Sequence, residues 1–183
     1  MAENKHSQYV NKRLSSVRPL LANSSQTEGG QRSTVGFYHT ACVDAAALQL
    51  YFAVFHYVNE LLVMYQQPII ENTPWQLRDT IIQQSQNVAE LNEWKQLLQQ
   101  PDSFLSLLVK YPETMLQADS AAECESDEQN ILAAQARDSA VIPLVNLGSD
   151  ENKTLYLTEH NIHWVMDECY RLIQRQREHL IEC

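Results

Sequence analysis

Glycine is scarce in this chain, with 4 residues in 183. A phosphate-binding loop needs several closely spaced glycines so that the backbone can approach the phosphate, and no such loop is present, which disfavours a nucleotide-dependent enzyme. The Gly-x-Ser-x-Gly motif of nucleophilic hydrolases is missing too. Few glycines among many Ala, Leu, Gln and Glu residues predict an all-α fold.

Cysteine is present without the spacing that binds zinc. The chain has 4 cysteines and no Cys-x-x-Cys pair, so neither a zinc site nor a thioredoxin-like redox motif is indicated. Residues 1–16 lack the apolar segment and the small-residue cleavage site of a secretory signal peptide. Reduced thiols in a cytoplasmic protein are the simplest interpretation.

Positive charge is in short supply, because 13 Lys and Arg residues stand against 23 Asp and Glu residues, a formal net charge of −10. Nucleic-acid affinity depends largely on Lys and Arg, so this balance disfavours nucleic acid as a partner. A local basic patch for RNA or an acidic protein would still form if the first and last helices lie side by side. The alternative is a set of solvated surface charges. The candidate residues are Lys12, Arg13, Arg18, Arg171, Arg175 and Arg177.

Residues 37–67 contain no Gly and no Pro and carry apolar side chains in almost every direction. This pattern predicts one long central helix, about 45 Å in length, that is buried around most of its circumference. Five polar or charged residues within it argue against a membrane span. They are Asp44, Gln49, His56, Asn59 and Glu60.

Helical spacing of apolar residues predicts the flanking elements. A first helix covers residues 4–23, where Pro19 should kink or shorten the last turn. Residues 75–99 form one helix, or two if the polar residues 85–87 interrupt it. A short helix begins near Phe104 and ends before Pro112, and a terminal helix covers 159–181 after an N-cap at Thr158.

The segments between these helices have different compositions. Residues 23–34 are rich in Ser, Gly, Gln and Thr, as linkers are, and residues 113–130 carry six acidic and no basic side chains, as a mobile acidic loop would. We therefore predict a single all-α domain over residues 1–183, built as a helical bundle of four main helices and one short helix.

Four segments carry a resemblance to a known family: A-x-x-L-Q-L-Y-x-A-V-F-H-Y, AELNEWKQLL, PDSFLSLLVKY and the terminal WVMDECYRLIQRQREHLIEC. Together they resemble an uncharacterised proteobacterial family recorded as a domain of unknown function. The resemblance covers most of the chain outside the linker and the acidic loop. It implies no activity.

LQLYFAVFHYVNELL, at residues 48–62, is similar to the central helix of the HEPN superfamily, helical bundles that are often RNases. The catalytic signature of that superfamily is an Arg four to six residues ahead of a His on a later helix. Arg171, Arg175 and Arg177 do not have this spacing to His179. The resemblance therefore implies a bundle and an RNA-binding or degenerate module rather than an RNase.

Gln49, His56, Glu60 and Gln67 fall on one side of the predicted central helix. Two interpretations are open. The strip either faces solvent, or forms a polar seam inside the bundle, where an imidazole and a carboxylate could bind a ligand, bind a metal or act as an acid and base.

Two further histidines, His160 and His163, lie at the start of the predicted terminal helix. With His56 and Glu60 they could assemble a metal site of the kind a hydrolase uses. Helical di-metal sites require paired Glu-x-x-His motifs, however, and these do not occur, so the sequence predicts no metal and no cofactor.

Aromatic residues cluster in the central helix and point in several directions. Core packing is the ordinary explanation, and an exposed remainder would mark an interface. The favoured function is a non-enzymatic helical protein that self-associates as a homodimer through this helix or binds a protein partner. An RNA-binding HEPN-like module and a metal-dependent hydrolase are the alternatives.

Overall fold

The computed structural model describes residues 5–25, 32–70, 76–112, 157 and 159–182, without the side chains of residues 24–25, 32–37, 159–160 and 182. All regular secondary structure in these residues is helical, which confirms the all-α class. The helices are α1 (Lys5–Ser25), α2 (Arg32–Met64), α3 (Leu77–Gln84), α4 (Ala89–Gln99), α5 (residues 104–112) and α6 (Glu159–Glu182).

The chain divides into two compact units, one formed by Met1–Tyr111 with Leu155–Cys183 and the other by Pro112–Thr154. Every described residue except Pro112 belongs to the first unit. The predicted acidic loop at 113–130 lies outside the described residues, and the single domain over 1–183 stays a prediction.

The apolar stripe predicted for the first helix is the face that α1 buries against α2. Val10, Leu14, Val17 and Leu21 are all buried. Pro19 does not shorten the helix, which continues to Ser25. Proline removes a single backbone donor, and the buried side chains on both sides of it keep the last turns packed against α2.

The central helix is longer at its start and shorter at its end than the sequence suggests. It begins at Arg32 and passes through Gly36, since one helical glycine costs only about 1 kcal/mol. Residues 23–25 and 32–34 of the predicted linker are therefore helical, and residues 26–31 lie outside the described part.

A Schellman motif, rather than Pro68 alone, ends α2. The amide of Gln67 donates to the carbonyl of Leu62 at 2.8 Å and that of Gln66 to Val63 at 3.2 Å. Gln66 has φ 55°, the left-handed conformation that this motif requires. Gln67 is thus beyond the helix.

Residues 76–99 form two helices, because the predicted interruption is a turn at 85–87. Ser85 is buried and donates through its hydroxyl to the carbonyl of Ile82 at 2.8 Å. The next turn joins α4 to α5, where Ser103 caps α5 by accepting from the amide of Ser106 at 3.1 Å. The Ser103 hydroxyl also donates to Leu97 of α4 at 2.5 Å.

α2 is the helix on which the unit is built, since both α1 and α6 pack against it. Its Tyr38–Met64 part is long and apolar enough to cross a membrane by length and composition, which is weak evidence because core helices pass the same test. Within the apolar window, 56% is buried inside the protein.

Candidate functional site

Three of the four predicted strip residues lie against other helices. Glu60 is buried, whereas Gln49 and His56 are half-buried. Gln49 accepts from the guanidinium of Arg13 on α1 at 2.9 Å. Gln67 does not share this face, because α2 has ended, and its side-chain amide donates to the carbonyl of Tyr65. The interior alternative therefore holds for Glu60, and the strip is interrupted before Gln67.

Glu60 forms a buried ion pair with Arg177 of α6. The Arg177 Nη2 lies 2.6 Å from Oε2 of Glu60, and the two side chains are 15% and 9% exposed. Arg177 also donates to Asn11 at 2.8 Å and to Ser7 at 3.3 Å, both on α1. Its guanidinium lies 5.7 Å from the ring centroid of Tyr57. One arginine thus joins α1, α2 and α6.

Gln176, the neighbour of Arg177, connects α2, α4 and α6. Its Oε1 accepts from the hydroxyl of Tyr57 at 3.1 Å and from the indole of Trp94 at 2.8 Å. Its Nε2 donates to the Glu90 carbonyl at 3.2 Å and to Glu93 Oε2 at 3.1 Å. These four bonds use the whole hydrogen-bonding capacity of the amide, so Gln176 is fully satisfied although only 4% exposed.

The phenol of Tyr57 is held in its protonated form. Burial, with a further contribution from the Glu60 carboxylate, raises the pKa of Tyr57 above its usual range. The phenol therefore donates a hydrogen bond to Gln176 at every physiological pH. This group is a fixed structural donor, and it is too weak an acid to serve as a proton shuttle at neutral pH.

His56 lies in an aromatic cluster between α1 and α2. Its ring centroid is 5.0 Å from that of Tyr9, 5.4 Å from Phe55 and 5.9 Å from His6. Burial lowers the pKa of His56 to about 4, and the positive charges of His6 and Arg13 act in the same direction. His56 is therefore neutral at pH 7, and its Nδ1 is buried without a hydrogen-bond partner.

The candidate metal ligands among the described side chains, His56, Glu60 and His163, do not form one site. His56 and Glu60 lie on α2, where Arg177 occupies the carboxylate, and His163 is exposed on α6. The side chain of His160 lies outside the described residues. In the ranges that the structure describes, no three His, Cys, Asp or Glu side chains form a group that could hold a metal ion.

The thiol of Cys169, on α6, lies in the buried core of the described part of the chain. Burial raises its pKa to about 12, so it is protonated at neutral pH and a poor nucleophile. Cys42 is buried on α2. Both cysteines pack as small apolar residues.

The basic residues of α1 and α6 are largely paired. Arg175 forms an ion pair with Glu93 of α4, and Arg171 pairs with Glu168 at 2.7 Å, one helical turn away. Arg13 lies 5.3 Å from the centroid of Phe52 while it bonds Gln49. Lys12 and Arg18 are exposed. Arg171 and Arg175 are exposed as well, so four of the six predicted residues lie on the surface, and the other two, Arg13 and Arg177, are half-buried.

One face of α2 is incompletely covered over its first half. Tyr38 is 48% exposed, Ala41 is exposed, and Ala45, Leu48 and Phe52 are half-buried. These five residues, called the α2 stripe below, follow alternating steps of three and four. By contrast, the aromatic side chains of Tyr51, Phe55 and Tyr57 are buried within this chain.

Two open clefts flank α6. A groove of about 450 Å³ lies between α1 and α6, with Leu14, Met166 and Tyr170 among its lining residues. A second cleft of about 530 Å³ lies where the α4–α5 turn meets α6 and includes Trp164, which is 43% exposed.

Sequence reasoning missed the polar network around Arg177 and Gln176, whose members come from α1, α2, α4 and α6. No local spacing links residues so far apart in the chain. The available signal was an amide on the apolar face of the terminal helix, since Gln176 follows Cys169 and Ile173 at helical spacing.

The described part of the chain is therefore an all-helical protein in which Arg177 and Gln176 join buried polar groups of different helices, while Nδ1 of His56 stays without a hydrogen-bond partner. A family model, described as a family of unknown function (DUF6586), matches residues 5–183. The chain belongs to this family, as its helix motifs predicted. Comparison with curated proteins gave no match, and comparison with solved structures gave none either. The HEPN similarity stays a resemblance.

Proposed function

We propose that this protein folds as a single helical bundle and acts as a homodimer, formed by the α2 stripes of two copies. The observation that carries the proposal is the incomplete cover of Tyr38, Ala41, Ala45, Leu48 and Phe52 on the helix that supplies much of the buried core. Apolar residues left open on a core helix mark an interface when they are contiguous.

The spacing of the α2 stripe favours another helix as its occupant. Alternating steps of three and four along a helix form the a and d positions of a heptad, which pack against a facing helix. The stripe itself contains no charged residue, and the guanidinium of Arg13, which lies 5.3 Å from the ring of Phe52 at one end of it, already has Gln49 as a partner.

The order of large and small residues favours a second copy of the same helix. Under a two-fold axis through Ala45, antiparallel helices would place Leu48 opposite Ala41 and Tyr38 opposite Phe52 of the other copy. Large side chains would then meet small ones or aromatic rings, and the two alanines at the axis would permit close approach.

The mass in solution tests this proposal, with Ala41→Glu as the disrupting variant. Sedimentation analysis of the wild type should give twice 21.1 kDa across a dilution series. Ala41→Glu adds a carboxylate to the stripe at an exposed position, and we expect the dimer to weaken by at least about tenfold.

Ala89→Glu is the matched control, because Ala89 is exposed at the start of α4, next to Glu90, which accepts from Tyr65 beyond the end of α2 that lies opposite the stripe. It should keep the wild-type mass, and both variants should keep the wild-type helical circular dichroism. A monomeric wild type, or equal masses for the two variants, would contradict dimerisation through α2.

A further inference from the structure

The groove between α1 and α6 has the size of a small-molecule site. Its volume of about 450 Å³ falls in the usual range of roughly 300–1,000 Å³ for ligand pockets. Leu14, Met166 and Tyr170 supply apolar surface, and Tyr170 is 45% exposed. Asn11, Ser15 and Gln174 add polar groups along the lining.

The two ends of this groove differ. Arg177 donates to Ser7 and Asn11, so these contacts fix α6 to α1 at one end. Residue numbers rise along α1 away from Asn11 and fall along α6 away from Arg177. Arg18 and Asp167, which also line the groove, therefore lie together towards the other end, on facing helices.

Arg18 and Asp167 carry opposite charges without satisfying one another. Among the described residues, neither side chain takes part in an ion pair or a hydrogen bond. Arg13, Arg171, Arg175 and Arg177 all have partners, in contrast. The guanidinium and the carboxylate are thus available to a ligand at the same end of the groove.

We propose that this groove binds a free α-amino acid with an apolar side chain. Arg18 would receive the carboxylate of the ligand, with the bidentate geometry that suits a guanidinium, and Asp167 would accept from its ammonium group. The side chain of the ligand would lie along Leu14, Met166 and Tyr170. This site is separate from the α2 stripe and does not depend on dimerisation.

The charge arrangement distinguishes an amino acid from a peptide. An α-amino acid carries both charges on one carbon atom and its apolar group next to them, which matches the charges of Arg18 and Asp167 beside the apolar surface of Leu14, Met166 and Tyr170. A dipeptide carries its charges at opposite ends, so only one of them could reach the Arg18 and Asp167 end.

Isothermal titration calorimetry with L-phenylalanine on the full chain is the test. We expect binding by the wild type, and a loss of at least about tenfold in affinity for Arg18→Gln and for Asp167→Asn. Arg78→Gln and Asp79→Asn, exposed positions on α3, are the matched controls and should bind like the wild type.

Ligand analogues assign each charge. N-acetyl-L-phenylalanine lacks the ammonium group, so Asp167→Asn should not weaken its residual binding, and L-phenylalaninamide lacks the carboxylate, so Arg18→Gln should not weaken its own. Phenylalanyl-phenylalanine should bind less tightly than the free amino acid. No heat with wild-type protein, equal binding by all four variants, or capped analogues that bind like phenylalanine would each overturn the assignment.

Discussion

Among single residues, Arg177 and Glu60 should affect the stability of the fold most, because they form a largely buried ion pair. Both side chains are largely withdrawn from water, at 15% and 9% exposure, and Arg177 also holds Ser7 and Asn11 of α1. An ion pair at this depth contributes little net free energy compared with an apolar pair, yet loss of one partner leaves an uncompensated buried charge. Replacement of one partner alone is therefore expected to cost far more than replacement of both.

We expect Arg177→Met to lower the free energy of unfolding by about 3–5 kcal/mol, because the Glu60 carboxylate loses its counter-ion. Urea unfolding followed by circular dichroism measures the change. Arg171→Met is the control, since the Arg171 side chain is 70% exposed in its pair with Glu168, and it should cost about 1 kcal/mol or less. Glu60→Leu combined with Arg177→Met should recover much of the loss, and equal costs for Arg177→Met and Arg171→Met would show that burial of the pair is unimportant.

Among the helices, the end of α2 has the most unusual backbone. Gln66 adopts φ 55° so that the amides of Gln66 and Gln67 can bond the last carbonyls of the helix. A residue with a side chain loses roughly 1–2 kcal/mol in this conformation, whereas glycine adopts it freely. The following segment then returns along α2, where the Ile70 amide donates to Asn59 at 2.8 Å.

Gln66→Gly should therefore stabilise the protein, by up to about 1 kcal/mol, since it removes the side-chain penalty but enlarges the freedom of the unfolded chain. The same change in an exposed helical position, Gln83→Gly in α3, should destabilise by about 1 kcal/mol. The urea concentration at the midpoint of unfolding should rise for Gln66→Gly and fall for Gln83→Gly. Two changes of the same sign would contradict the role given to the left-handed conformation.

Structural features that depend on apolar residues repeated every three or four positions could be predicted from the sequence. Features that depend on a single residue could not. Val10, Leu14 and Val17 predict the buried face of α1 because burial follows the helical period. The stop at Met64 was not predictable, because Gln66 stands where glycine is the usual signal. The turn at 85–87 was foreseen as an alternative, since polar residues there interrupt the stripe.

At the scale of the whole molecule, the contacts of the candidate site could not be predicted from the sequence either. The sequence places His56 and Glu60 on one face of α2, but it does not show that Arg177 reaches Glu60 or that Gln176 joins Tyr57 to Trp94. Such contacts depend on how α6 lies on α2, which is a property of the assembled fold. The basic patch stays a prediction, and the sequence does not show that Glu93 and Glu60 pair with two of its members, Arg175 and Arg177.

The attachment of α1 to α2 should depend on pH through His6 and His56. Burial lowers the pKa of His56 from 6.5 to about 4, with His6 and Arg13 adding to the effect. Burial and the charge of Lys5 also lower the pKa of His6, although Glu60 opposes them. Between pH 6.5 and 4 the unfolded chain thus binds more protons than the folded chain, so the free energy of unfolding falls as the pH falls.

Urea unfolding at a series of pH values measures this slope. The stabilising contribution should be complete above pH 6.5, where both states are neutral at these imidazoles, and should be lost as the pH approaches 4. His56→Gln should flatten the slope, because it removes a group whose protonation opposes folding, and His163→Gln, an exposed position on α6, should keep it. An unchanged slope in His56→Gln would mean that acid acts elsewhere. A flattened slope would show that acid destabilises the fold through His56, whose half-buried imidazole lies against the rings of Tyr9 on α1 and Phe55 on α2.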